Sequence, residues 1–127
     1  MTALERWHEF VAMQDIARLH ALIDPDAVFE SPVVHAPQRG REIVVKYLAG
    51  AAQVLGGPAF RYTGEWTNAT GAVLEFETEV DGIAINGVDL ITFTPDGEHI
   101  ARFKVMIRPL KAIELVHRLM GEALARG

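Results

Sequence analysis

The sequence contains no cysteine, and it also has no long apolar run. None of its 127 residues can form a disulfide, a thiolate nucleophile or a cysteine metal ligand. No apolar stretch reaches the roughly 20 residues that a membrane-spanning helix needs. The first residues carry charges where a secretory signal would have an apolar segment. We therefore expect a cytoplasmic protein without a membrane partner.

Motifs for several kinds of chemistry are missing as well. The sequence has no Gly-x-Ser-x-Gly nucleophile motif, no phosphate-binding glycine loop and no dinucleotide-binding fingerprint. Its five histidines include no pair at the i, i+4 spacing that zinc hydrolases use. The sequence thus predicts neither acyl-enzyme chemistry nor nucleotide binding, and it predicts no metal and no cofactor.

Positive charge is scarce relative to negative charge. Twelve basic residues face 17 acidic ones, for a net charge of −5. Such a balance disfavours binding to nucleic acids or anionic membranes, so a neutral or cationic small molecule is the expected partner. Half of the residues are hydrophobic, which is enough at this length for one domain over residues 1–127.

What the sequence does contain is a run of alternating residues from Ala59 to Pro109. Four segments in this run alternate apolar and polar residues with a period of two, which predicts strands. Asp81-Gly82 is typical of a type I′ hairpin turn, and Pro95-Asp96-Gly97 marks another turn. The simplest assembly is an antiparallel meander of four strands.

Helical periodicity is found on both sides of this meander. Thr2 and Glu5 match a capping box that starts a first helix, and Asp15 is the expected cap of a second short helix. Apolar stripes predict a third helix over residues 41–52 and a last one from Pro109 onward. Between the second and third helices, two short extended pieces are separated at Pro32. This order predicts an α+β fold in which one curved sheet wraps around helices.

Asp89 is the most unusual residue of the predicted sheet. It shares one face of a strand with apolar residues, so burial would raise its pKa and make it a proton acceptor near neutral pH. We predict that it is a general base. Gly87 leaves an alternative open, because a glycine inside a strand often marks a bulge, and a bulge would turn Asp89 outward.

The other candidate residues are a histidine, two tyrosines and a set of apolar side chains. We predict His35 as an acid or base and Tyr47 as a further catalytic group, although a hydroxyl could equally come from Tyr62. A loop position for the histidine and core packing for the tyrosines are the alternatives. The predicted ligand-binding residues are Tyr62, Trp66, Phe76, Ile91, Phe93, Phe103 and Val105.

Several short motifs occur in the order in which one family has them. They are Phe29-Glu-Ser-Pro32, Gly40 before the third helix, Gly87 to Phe93, Asp96-Gly97 and Arg108-Pro109. Together they resemble the nuclear transport factor 2-like (NTF2-like) superfamily, in its polyketide-cyclase-like, or SnoaL-like, branch. The resemblance covers nearly the whole chain and implies a conical α+β barrel around a blind apolar pocket, usually in a homodimer. Members include ketosteroid isomerases, epoxide hydrolases and polyketide cyclases, whose pocket carboxylates commonly act as bases or acids.

Three functional hypotheses follow. The first is a cofactor-independent isomerase, cyclase or hydrolase in which Asp89 transfers a proton on an apolar substrate. The others are a module that binds an apolar ligand without catalysis and a dimeric scaffold without a ligand. Val88, Leu90, Ile100 and Met106 are expected on the outer sheet face, which favours a homodimer there; the C-terminal helix could cover them instead.

Overall fold

A computed structural model describes residues 1–126 and shows four helices and a six-stranded mixed sheet. The helices are α1 (Ala3–Met13), α2 (Ile16–Leu22), α3 (Arg41–Leu55) and α4 (Leu110–Arg126). The strands are β1 (Ile23–Glu30), β2 (Gln38–Arg39), β3 (Arg61–Thr67), β4 (Gly71–Val80), β5 (Ile83–Phe93) and β6 (Ile100–Arg108). They are arranged in the order β2-β1-β6-β5-β4-β3, so the sheet is open. The predicted conical α+β architecture is confirmed. Within residues 1–126, every helix is too short or too polar to cross a membrane.

The first two helices begin at side-chain caps. The Thr2 hydroxyl accepts a hydrogen bond from the Glu5 amide at 3.1 Å, and the Glu5 carboxylate accepts one from the Thr2 amide at 3.0 Å. These two bonds complete the predicted capping box. Asp15 caps α2 through two backbone amides. With its start fixed, α1 turns Trp7 and Phe10 into the core, where both are buried.

β1 is longer than the sequence indicated. The prediction had two extended pieces separated at Pro32, but one strand runs from Ile23 to Glu30 and lies parallel to β6. The register of this pairing is irregular between Ile23 and Val28, around Pro25, which has no amide hydrogen to donate. Residues 31–37 then leave the sheet as a loop before the short strand β2.

The strands β3 to β6 form the predicted antiparallel meander, and Gly87 does not interrupt it. The pairing of β4 with β5 continues through ten residue pairs without a register shift. Gly87 provides space instead: a Cβ atom there would come within 2.5 Å of the Phe76 ring and 2.6 Å of the Ile107 side chain. The inward direction of Asp89, two residues later, follows from this unbroken pairing.

A bulge in β3 sets the facing of Tyr62 and Trp66. Tyr62 and Gly64 pair with adjacent residues of β4, which leaves Thr63 as an extra residue. Tyr62 therefore points to the concave face, whereas Trp66 points to the outer face and is 59% exposed. The prediction that Trp66 lines a pocket is wrong, because an inserted residue exchanges the faces of all residues that follow it.

The hydrophobic core fills the space between the concave sheet face and the helices. Its largest fully buried side chains are Phe10, Phe76, Phe103, Leu19, Leu22, Ile23, Leu74, Ile85, Ile100 and Val44. The prediction of Ile100 on the outer face is wrong, because the β5–β6 pairing shifts register between Thr92 and Phe93. α4 also packs on the concave side, where its Val116 is buried. It therefore does not cover the outer apolar residues.

Candidate functional site

A cavity of about 270 Å³ lies between the concave sheet face and helices α1, α3 and α4. This volume is close to the lower end of the roughly 300 to 1,000 Å³ that is usual for small-molecule sites. Seven aromatic side chains contribute to its walls: Trp7, Phe10, Phe29, Tyr47, Phe60, Phe76 and Phe103. Among the wall residues within 1–126, Asp89 is the only carboxylate, and none is a lysine or an arginine.

Asp89 is buried at the wall of this cavity. It lies between Leu74 of β4 and Val105 of β6, and only 6% of its surface is exposed. The Tyr62 hydroxyl donates a hydrogen bond to its Oδ2 atom at 2.7 Å. The Oδ1 atom has no hydrogen-bond partner among the described residues, yet it is not sealed off from solvent. One carboxylate oxygen is therefore fixed, and the other is open to the cavity.

The Tyr62 hydroxyl is oriented by Trp7. The indole Nε1 of Trp7 donates a hydrogen bond to the Tyr62 oxygen at 3.0 Å, so the hydroxyl proton is free to point at Asp89. The Tyr62 ring also packs edge-on against His8, with 5.5 Å between ring centroids. His8 is in turn held by Glu65, whose carboxylate lies 2.7 Å from Nε2. α1 is thus attached to β3 by two polar contacts beside the cavity.

The surroundings of Asp89 change its acidity. Burial raises the pKa of Asp89 from its ordinary 3.8 to about 7, and the hydrogen bond from Tyr62 lowers it less than burial raises it. Burial, together with the negative charge of Asp89, raises the pKa of Tyr62 far above its ordinary value. Near neutral pH, Asp89 therefore exchanges a proton readily while Tyr62 keeps its own. These properties suit a general acid or base.

Further polar groups reach the cavity from the helices and from the loop at residues 31–37. Tyr47 extends from α3, with its ring centroid 5.4 Å from that of Phe29, and its hydroxyl has no hydrogen-bond partner among the described residues. Gln14, Ser31 and His117 complete the polar lining. His117 was not among the predicted site residues, because an isolated histidine on a helix matches no motif. Across residues 1–126, no three histidine or carboxylate side chains are grouped closely enough to hold a metal ion.

Five of the ten predicted site residues line the cavity. Phe76, Phe103 and Val105 line the cavity together with Asp89 and Tyr47. Tyr62 lies behind Asp89 and reaches the cavity only through that carboxylate.

Besides Trp66 on the outer face, three other predicted residues lie outside the cavity. Ile91 is 3% exposed in the core, and Phe93 is packed against that core, because the cavity does not extend to this end of β5. His35 is exposed and lines a separate outer groove with Glu30. The loop leaves the sheet after Glu30, so His35 lies beyond the cavity wall. His35 is therefore not a residue of this site.

Comparison with known proteins gives one family and several similar structures. The SnoaL-like domain family matches residues 4–103. A steroid delta-isomerase from Pseudomonas aeruginosa is 35% identical, with a TM-score of 0.90 over 98% of this chain and 90% of that chain. A protein conserved in bacteria with a cystatin-like fold, from Silicibacter pomeroyi, is 32% identical, with a TM-score of 0.86 over 94% of this chain and 83% of that chain. A putative SnoaL-like polyketide cyclase from Shewanella denitrificans shares the fold alone, at 14% identity and a TM-score of 0.65 over 98% and 96%. No curated protein matches the sequence.

Proposed function

The chain belongs to the SnoaL-like family of the NTF2-like superfamily, and from that premise we propose that it is an enzyme that transfers a proton on an apolar small molecule without a cofactor. The observation that carries this proposal is the buried Asp89, which is held by Tyr62 on one oxygen and open to an apolar cavity on the other. Isomerisation of an enolisable ketone is the favoured reaction, because the 35% identical structure is that of a steroid delta-isomerase.

Asp89 would carry the proton in this reaction. Its carboxylate removes a proton from a carbon next to the substrate carbonyl and returns that proton to a different carbon, so that Asp89 ends the cycle unchanged. A bound apolar substrate would fill the cavity and thereby exclude water from the protonated intermediate state of Asp89. Negative charge develops on the carbonyl oxygen of the substrate and requires a hydrogen-bond donor. The unpartnered hydroxyl of Tyr47 is the donor that we propose.

Binding without catalysis is the second candidate function. Because the pKa of Asp89 is about 7, a large fraction of the carboxyl group is protonated in mildly acidic solution. Its open oxygen could then donate a hydrogen bond to a ligand carbonyl, as a protonated aspartate does in ketosteroid isomerases. The same cavity would serve as a carbonyl-binding pocket, and no proton would leave carbon.

Hydrogen exchange on carbon distinguishes these two functions. A panel of apolar enolisable ketones is first screened by thermal shift, and those that stabilise the protein are incubated with it in deuterated buffer. If Asp89 acts as a base, NMR will show isomerised ketone, or deuterium entering the α-carbon faster than in buffer alone when the proton on Asp89 exchanges with solvent before it is returned. Ketones that bind but neither isomerise nor gain deuterium above the buffer rate would contradict the enzyme and favour the binding module.

Removing the Tyr62 hydroxyl is expected to weaken the base at neutral pH. In Tyr62→Phe the carboxylate loses a hydrogen bond, so the pKa of Asp89 rises and less of the basic form is present at pH 7. Hydrogen bonds to charged groups are worth about 1.5–3 kcal/mol, so we expect a roughly tenfold or greater loss of kcat/KM at pH 7. The pH dependence of kcat/KM should shift to higher pH. Trp7→Phe should move it in the same direction but less, and an unchanged profile in Tyr62→Phe would contradict this role.

The outer face of the sheet is uncovered and partly apolar. Trp66 and Met106 are 59% and 50% exposed, and the half-buried Val73, Val88 and Leu90 lie between them on β4 and β5. On this face β4 presents three glutamates, whereas β6 presents arginines and a lysine: Glu75, Glu77 and Glu79 against Arg102, Lys104 and Arg108. The face thus changes from acidic through apolar to basic across three neighbouring strands.

We propose that this face joins two copies of the chain in a homodimer. A twofold axis parallel to β5 would place the acidic strand of one protomer over the basic strand of the other and the apolar strands over each other. Met106→Glu should then convert a dimer into a monomer of 14.0 kDa in sedimentation velocity. Leu110→Glu, at an apolar side chain that is 69% exposed outside this face, is the matched control and should stay dimeric. A monomeric wild type at micromolar concentration would refute the dimer.

The cytoplasmic location stays a prediction.

A further inference from the structure

The open oxygen of Asp89 has no positive charge near it. Every ion pair among residues 1–126 lies on the surface, and no lysine or arginine contributes to the cavity wall within that range. A buried carboxylate without a countercharge is unfavourable, because its hydration has been lost and no partner replaces it. The cavity therefore lacks a positive charge, which a ligand can supply.

Aromatic rings line the cavity into which this carboxylate opens, although its direct cross-strand neighbours, Leu74 and Val105, are aliphatic. On the concave face, two of the four diagonal neighbours of Asp89 are aromatic, Phe76 on β4 and Phe103 on β6, and diagonal pairs are usually roughly 7–8 Å apart. Trp7 packs on Phe103 with 4.7 Å between ring centroids and is joined to Asp89 through Tyr62. The faces of such rings attract cations, and groups of them recognise substituted ammonium ions. The carboxylate and the rings thus both favour a cationic ligand.

We infer that the cavity binds a hydrophobic amine as its ammonium ion, with the cation between the open oxygen of Asp89 and the aromatic rings of the cavity wall. The inference uses the cavity of the proposed enzyme but does not depend on proton transfer. A neutral ketone leaves the carboxylate without a countercharge, and an anion would be repelled by it. The net charge of −5 acts in the same direction, because it attracts cations to the protein.

Protonation of Asp89 should therefore control the affinity. The other titratable groups that face it are Tyr62 from β3, Tyr47 from α3 and His117 from α4, while His8 of α1 lies behind Tyr62. The ammonium ion prefers the carboxylate, so amine affinity should fall as Asp89 becomes protonated on going from pH 8 to pH 6. A ketone that accepts a hydrogen bond from protonated Asp89 should show the opposite trend.

Three naphthalene probes test the inference by isothermal titration calorimetry. They are N,N-dimethyl-(2-naphthyl)methylamine, 2-acetylnaphthalene and 2-naphthoate, which share a ring system and differ in charge. At pH 8 the amine should bind about tenfold or more tightly than the ketone, and the naphthoate should not bind. In Asp89→Asn the amine should lose this advantage while the ketone still binds. Equal affinities of amine and ketone at pH 8, or an advantage that persists in the variant, would overturn the inference.

Two further measurements separate the contribution of Asp89 from that of His117, and amine binding from catalysis. In wild type, amine affinity should fall about tenfold between pH 8 and pH 6, since Asp89 has a pKa of about 7. His117→Gln should keep that dependence, and its loss would assign the effect to the histidine and refute the role of Asp89. Amine selectivity without isomerisation of ketones or deuterium exchange into them would refute only the enzyme, whereas either reaction without amine selectivity would refute only the amine site.

Discussion

Asp89→Asn is expected to lower the turnover of a ketone substrate by roughly two to four orders of magnitude, which is the usual contribution of a positioned general base. Asparagine has nearly the same shape and its oxygen can accept the hydrogen bond from Tyr62, but it cannot remove a proton from carbon. Ligand binding should persist, so the loss should appear in kcat. Steady-state kinetics of wild type and variant at pH 8 measure this effect.

A carboxylate outside the cavity provides the control for this substitution. Glu114→Gln removes one negative charge from an exposed side chain of α4, outside both the cavity wall and the outer sheet face, and should leave kcat unchanged. Full turnover in Asp89→Asn would remove Asp89 from the mechanism and leave the cavity as a binding site. Equal losses in both variants would indicate a general effect of charge, which also contradicts the assignment.

The same substitution should make the protein more stable above neutral pH. Asp89 has a folded pKa of about 7 against an ordinary value of 3.8, so the folded state holds a proton that the unfolded state has released between these pH values. Its contribution to stability is therefore fully present below about pH 4 and is lost as the pH rises to about 7. At pH 8 the loss amounts to roughly 4 kcal/mol, and Asp89→Asn should recover much of it.

Urea unfolding of both proteins at pH 5 and pH 8 tests this expectation. The other carboxyl groups contribute equally to both proteins, so the difference between the two free energies of unfolding isolates Asp89. The variant should exceed wild type by more at pH 8 than at pH 5. A difference that does not change with pH would contradict the raised pKa of Asp89 in the folded state. A gain in stability combined with a loss of turnover would mean that the activity of the cavity comes at the expense of a more stable core.

The parts of the fold that depend on local sequence were predictable. Period-two alternation located β4 and β5, the capping residues Thr2 and Asp15 located the first two helix starts, and Asp81-Gly82 located the hairpin between β4 and β5. Each of these signals acts over a few residues, and neighbouring structure does not override it. Asp89 was predictable for the same reason, because the two-residue period of the strand alone places this carboxylate on an otherwise apolar face.

The parts that depend on distant contacts were not predictable. Trp7 and Tyr62 are 55 residues apart, and nothing in either segment indicates that the indole will bind the hydroxyl. The parallel pairing of β1 with β6 joins strands that are far apart in the chain. The placement of Trp66 and Ile100 depended on register shifts, which change the facing of a residue without changing the composition of its strand.

The bulge at Thr63 determines where the length of β3 can change in evolution. The extra residue disturbs the pairing at this one position only. Tyr62 before it therefore points to the concave face, and Trp66 after it points to the outer face. Deleting Thr63 would straighten the strand and leave both assignments intact. An insertion or deletion elsewhere between Tyr62 and Trp66 that left the bulge in place would exchange inner and outer residues on one side of it. Homologues should therefore differ in length at the bulge more readily than elsewhere in this strand.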